Sequence, residues 1–237
     1  MERIRTDLLV HWTGRGFPDP FTPEGEAHYI ARLKSMCENG LYLSRPAADD
    51  ILRSVQEKDL HLPKLPCVCF TEVRIHEAVR FAEDYGMLGI GFRREYLLRY
   101  GANPVFYLRS AKQGIANTNI AALPEIVSSN YENAAEVILA YCKPMNQIDE
   151  INLKFYEEHE WRIVDAPCGI PLPKEFTQIT KPDGQTTPAF RFDWREVQLL
   201  VFPTPAVRAK AISAPDLRQY FEKHTPMMLD FDVCSEL

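Results

Sequence analysis

The chain has 237 residues, of which 46% are hydrophobic and 25% charged, and its formal net charge is −6. That supplies a sizeable core, excludes disorder as the prevailing state, and excludes bulk electrostatic attraction to polyanions. The start, Met1 to Asp7, lacks the apolar core of a secretory signal, and no stretch approaches the roughly 20 apolar residues of a membrane span, so a cytosolic protein is expected.

In chain order, Leu8 to Trp12 is a short apolar run that opens into a loop at Thr13–Gly16, and Pro18, Pro20 and Pro23 keep that loop out of helix. A helix is predicted from Ala27 to Glu38, stopped by Asn39–Gly40, followed by a strand over Leu41–Ser44. A helix over 47–58 comes next, then the strand Cys67–Thr71 and an amphipathic helix from Ile75 to Tyr85. Leu88–Phe92 reads as a strand whose glycines admit a close neighbour. Val105–Leu108 is a further strand, and a polar loop near Asn117 leads to a helix over 131–141. His159–Val164, Phe190–Phe192 and Val197–Phe202 have strand composition, and a last helix runs from Ala206 to Lys223. Without a βαβ rhythm this predicts an α+β fold, and with no linker in sight, one domain over 1–237.

The six cysteines read as thiols, since no C-x-x-C knuckle with a second ligand pair appears, and no metal is expected. The run Arg93, Arg94, Arg99 and Arg109 reads as a solvated face or a local basic groove. Phosphate-binding GxxxxGK[ST] loops, GxSxG elbows and HExxH pairs are absent.

Three segments carry chemistry: His11-Trp12-Thr13, Gly40-Leu41-Tyr42-Leu43-Ser44 and Glu158-His159-Glu160-Trp161-Arg162. Together they resemble the ADP-ribosyltransferase superfamily of the His–Tyr–Glu type. The resemblance implies a split β-sheet core with flanking helices and NAD as substrate. It implies catalytic roles for His11, Tyr42 and Glu160, and NAD binding by His11, Thr13, Arg15, Tyr42 and Ser44. The E-x-E form of Glu158 and Glu160 also resembles the arginine-modifying branch, which implies a role for Glu158 toward the acceptor. Cleaving the nicotinamide–ribose bond develops an oxocarbenium ion, which a carboxylate such as Glu160 stabilises, while nicotinamide prefers an aromatic face. The three side chains are expected to converge on one cleft, made locally positive by Arg15, Arg45 and Arg74.

The strings GLYLS, CVCFTE, YGMLGIGF, NPVFYL and EHEWRIV are similar to the AbiGi-type abortive phage-resistance family and to an allied bacterial family, over residues 8 to 165. AbiGi is described as the antitoxin of its pair. Two functions follow as expectations. One is an NAD-dependent ADP-ribosyltransferase acting on a protein or nucleic acid as a toxin or defence effector. The other is a catalytically silent protein that binds a partner toxin. A nuclease or RNA-binding toxin fits the acidic balance poorly. Structural roles stay open beside the catalytic ones: His11 and Tyr42 as core residues, Glu160 paired with an arginine, and Glu72 as a cleft residue or a helix cap.

Overall fold

The computed structural model describes residues 7–44, 65–72, 77, 82–108, 137–138, 140–144, 158–165, 176–180 and 184–236. Twelve strands lie among them: β1 (Leu8–Thr13), β2 (Leu41–Tyr42), β3 (Cys67–Thr71), β4 (Leu88–Arg93), β5 (Asn103–Pro104), β6 (Phe106–Leu108), β7 (Cys142–Pro144), β8 (Glu160–Val164), β9 (Phe176–Thr180), β10 (Thr186–Phe190), β11 (Val197–Phe202) and β12 (Met227–Asp230). The helices are α1 (Pro23–Asn39), α2 (Ala82–Tyr85), α3 (Arg94–Leu98), α4 (Pro205–Ser213) and α5 (Pro215–Lys223). None of them is long and apolar enough to cross a membrane.

The architecture is α+β. A seven-stranded sheet runs in the order β12-β11-β4-β1-β3-β8-β5, beside a three-stranded sheet β2-β10-β9 and the pair β6-β7. Within the large sheet, β1 and β4 are paired along their whole length, whereas β1 and β3 meet only at Val10 and Thr71. Past that point β3 leaves β1 and bridges at Cys67 to Ser44, at the end of β2. The sheet is therefore split, and the split lies where β1 carries His11 and Thr13.

The two faces of the sheet differ in cover. On one, Leu9, Phe70, Ile90, Phe92, Leu200 and Phe202 pack under Tyr29, Leu33 and Met36 of α1, Val207 and Ala211 of α4 and Leu217 of α5. On the other, Val10, Trp12, Leu199 and Val201 pack against Phe231 and Cys234. The glycines of β4 serve this second face. A Cβ at Gly89 would lie 2.8 Å from the Trp12 ring, and one at Gly91 would lie 2.9 Å from Leu199 Cβ.

Several boundaries depart from the sequence reading for local reasons. α1 begins at Pro23 rather than Ala27, because the Thr22 hydroxyl accepts from Gly25 N–H at 3.1 Å and Pro23 fits the first turn, where its missing N–H costs nothing. The single helix expected over 206–223 is two helices: Pro215 forces Ala214 into extended backbone, and the chain restarts as α5. These helices join β11 to β12, which run parallel, so one βαβ crossover exists where none was expected. Strands β5, β7, β9 and β12 and the short helix α3, which absorbs Arg94, were not legible, and the strand expected over Phe190–Phe192 is instead β10, which ends at Phe190. The helix expected over 47–58, most of those over 75–85 and 131–141, and the loop near Asn117 lie outside the described residues.

Gly40 ends α1 with φ 84° and its N–H donated to the Met36 carbonyl. A Cβ there would lie 2.3 Å from the Phe190 carbonyl oxygen of β10. Gly40→Ala combines a strained φ with a backbone collision and is expected to cost about 1–3 kcal/mol, read as a lowered urea midpoint at unchanged slope.

Candidate functional site

A cavity of about 770 Å³ opens at the split, walled by β1, the loop after it, α1, β2 and α2. That volume falls in the range of small-molecule sites. His11, Thr13, Arg15, Tyr42 and Ser44 all line it. Among the charged residues on its walls are Arg15, Arg32 and Asp84. Arg45 and Arg74 lie outside the described residues.

Each of the first residues is placed by the split itself. Where β1 loses its ladder partner, the His11 Nδ1–H donates to the Cys69 carbonyl at 2.8 Å, replacing a backbone bond with a side-chain one. That fixes Nε2 as the acceptor nitrogen of a neutral ring. The ring also sits edge-on to Phe70, with centroids 6.0 Å apart. Burial, assisted by the Arg32 charge, holds the His11 pKa down at about 4. Tyr42 belongs to β2, whose pairing to Ala189 of β10 sets its direction, and its hydroxyl is hydrogen-bonded to Ser35 of α1 at 2.7 Å. Tyr42 is thereby held at both ends, backbone and phenol, and half-buried.

The His11 shift has a defined consequence for stability. The folded pKa lies below the ordinary 6.5, so the folded state binds the proton more weakly than the unfolded chain. The stabilisation is fully present above pH 6.5 and is lost as pH falls toward 4. A shift of this size is worth at most about 3 kcal/mol. His11→Gln keeps a donor for Cys69 without a titration, so its unfolding midpoint should vary less than wild type between pH 7 and 4.

Glu158 and Glu160 do not line this cavity. Val10 pairs with Thr71 and Thr71 with Glu160, so these side chains share one face of the sheet, and His11, next to Val10, takes the other. The expected convergence of His11, Tyr42 and Glu160 is corrected by that period of two. Glu160 instead accepts from Arg162 Nε at 2.6 Å and from Lys143 Nζ at 2.7 Å, and Lys143 also bonds Glu158. Burial alone would raise the Glu160 carboxyl, but Arg162 and Lys143 outweigh it and hold the pKa at about 2. Burial raises Glu158 despite the Lys143 ammonium. Arg162 further donates to the Ala140 and Cys142 carbonyls, tying β8 to β7.

The network still touches the cavity at one point: Tyr85, which lines it, is hydrogen-bonded to Glu158. Sequence reasoning missed Tyr85, Arg32, Ser35 and Lys143. Of these, Arg32 and Ser35 had a usable signal, since they fall one helical turn apart on the same side of α1. Glu72 neither lines the cavity nor caps a described helix. Its carboxylate takes Arg94 and the Trp161 Nε1–H, the latter at 2.9 Å. The described cysteines are free thiols, and Cys67 and Cys69 stand 3.9 Å apart on one face of β3.

Fold and site together define an α+β protein with a ligand-sized cavity in a split sheet. The family described as "Putative abortive phage resistance protein AbiGi, antitoxin" matches residues 50–180, more than half of the sequence, and the chain belongs to that family. The matched segment contains Glu158 and Glu160, whereas the cavity residues on β1, α1 and β2 precede it. No curated protein matches the sequence. Among solved structures, the chain is similar to Thermus sp. 2.9 DarT in complex with ADP-ribosylated ssDNA, at 14% identity and a TM-score of 0.38, over 97% of each chain. It is similar also to Thermus sp. 2.9 DarT in complex with NAD+, at 13% identity and a TM-score of 0.37, again over 97% of each chain.

Proposed function

We propose that the chain binds NAD in the cavity at the split and transfers ADP-ribose to a macromolecule, protein or nucleic acid, as an effector of a toxin–antitoxin pair in phage defence. The observation that carries this reading is the meeting of His11, Thr13, Arg15, Tyr42 and Ser44, drawn from two separate segments of sequence, on one cavity of about 770 Å³. In this reading Tyr42 offers its ring to nicotinamide, and His11 Nε2 accepts from a ribose hydroxyl. As the bond from the ribose C1′ to nicotinamide breaks, nicotinamide leaves with the electron pair. Glu160 lies on the sheet face away from the cavity and acts on the cation left behind only through Lys143, Glu158 and Tyr85, which carry its network to the cavity wall. An acceptor nucleophile closes on C1′ and loses its proton. Glu158, nearer the cavity through Tyr85, faces the acceptor.

A second reading is a silent antitoxin of the same shape that holds its partner toxin. It is favoured by the lodging of Glu160 against both Arg162 and Lys143, on the face away from His11. Labelled NAD separates the two. Incubation of the pure protein with adenylate-labelled NAD and a cell lysate should leave label on a macromolecule if the chain is a transferase. Saturable NAD binding without label transfer supports the silent protein, and no NAD binding removes the first reading.

A further inference from the structure

Arg32 is absent from the set that the motifs single out, yet it is placed like a ligand-binding residue. It lines the cavity from α1, with His28 one turn before it and Ser35 one turn after. Its guanidinium lies over the Phe17 ring, 5.5 Å from the centroid. Phe17 is itself fixed edge-on to Tyr29, with centroids 5.1 Å apart. The stack holds the cationic head without neutralising it, because a ring face attracts a cation but accepts no strong hydrogen bond. Among the described residues neither Arg32 nor Arg15 forms an ion pair. A guanidinium that is positioned, lines a cavity and lacks a carboxylate partner has its fork of donors to offer to a ligand.

We propose that Arg32, with Arg15 lining the same cavity, is an anion site that grips a pyrophosphate and makes the cavity selective for diphosphate-bearing nucleotides over nucleosides. The ligand's identity as NAD rests on the function proposed above; the anion site does not. Phosphate oxygens would take the paired N–H groups of Arg32 in the bidentate manner that suits a guanidinium, which places the pyrophosphate on the α1 side and the nicotinamide end toward Tyr42. The Arg32 charge also adds to the effect of burial in lowering the His11 pKa.

The test is calorimetric titration of wild type, Arg32→Gln and Arg32→Lys with three probes: NAD, nicotinamide riboside and inorganic pyrophosphate. Arg32→Gln should weaken NAD and pyrophosphate about 10- to 100-fold and leave nicotinamide riboside unchanged. Arg32→Lys should recover part of the loss, since it keeps the charge and drops the fork. Equal NAD and pyrophosphate binding by an Arg32→Gln protein that melts like wild type overturns the site, and so does an equal loss for all three probes. Pyrophosphate binding that needs Arg32 in a chain that does not bind NAD retains the anion site and removes the NAD reading. NAD binding indifferent to Arg32 does the reverse, and a wild type that binds none of the three probes removes both.

Discussion

Glu160→Gln is expected to lower ADP-ribosyl transfer by about 2- to 30-fold, through the Lys143–Glu158–Tyr85 network rather than by contact with the reacting atoms, while the dissociation constant for NAD stays within about threefold of wild type. Glutamine keeps the shape and a hydrogen bond but removes the charge that, together with Glu158, holds Lys143. The carboxylate is already ionised, with a pKa held at about 2, so the loss should be the same at pH 6 and pH 8. The substitution also leaves Arg162 and Lys143 facing a neutral group. Activity should therefore be read beside a thermal melt, and Lys143 retains Glu158 as a partner. Glu158→Gln is the contrasting variant: it should leave NAD cleavage intact and alter at most the choice of acceptor. Wild-type transfer by a folded Glu160→Gln protein would remove Glu160 from the chemistry.

Arg162→Met is expected to cost about 3–5 kcal/mol of stability, the largest effect of any single substitution in the described network. Methionine fills the volume but leaves Glu160 without its closest cation and deprives the carbonyls of Ala140 and Cys142 of a donor. Breaking one side of a buried pair costs more than removing both, because a lone buried charge keeps its desolvation penalty. The double variant Glu160→Gln with Arg162→Met should recover part of the loss, measured as urea midpoints for the full cycle. A single-variant cost below about 1 kcal/mol would mean that water reaches the network and that its charges are screened.

Sequence legibility followed the range of the forces involved. Strands β1, β3, β4 and β11 were visible because each is a largely apolar run whose burial is decided locally, and β8 because Trp161, Ile163 and Val164 give it strand composition despite its two charges. β7, β9 and β12 are short or polar on one side, and pairing with distant strands makes them strands, which period alone does not report. The same limit governs the site. His11, Thr13, Arg15, Tyr42 and Ser44 were legible because they sit within a few residues of strand ends that meet at the cavity. Glu160 was read correctly as a strand-opening carboxylate beside an arginine, but its face depends on the register of β1, β3 and β8, which no single segment encodes. Arg32 and Tyr85 belong to helices read only for their apolar sides, so their polar reach into the cavity went unseen.

The cavity wall that holds Tyr42 is built by a very late partner. The Thr187 hydroxyl donates to the Leu43 carbonyl across 144 residues of sequence, and Leu43 N–H finds its acceptor at Pro188. At ordinary synthesis rates that separation is about 7–30 s of translation, during which β2 has no edge to join. A nascent chain thus exposes His11 early and acquires its Tyr42 wall only when β10 leaves the ribosome. Chains cut short before that point would lack the strand that holds the Tyr42 wall of the cavity in place, so the cavity is among the last features of the fold to be completed.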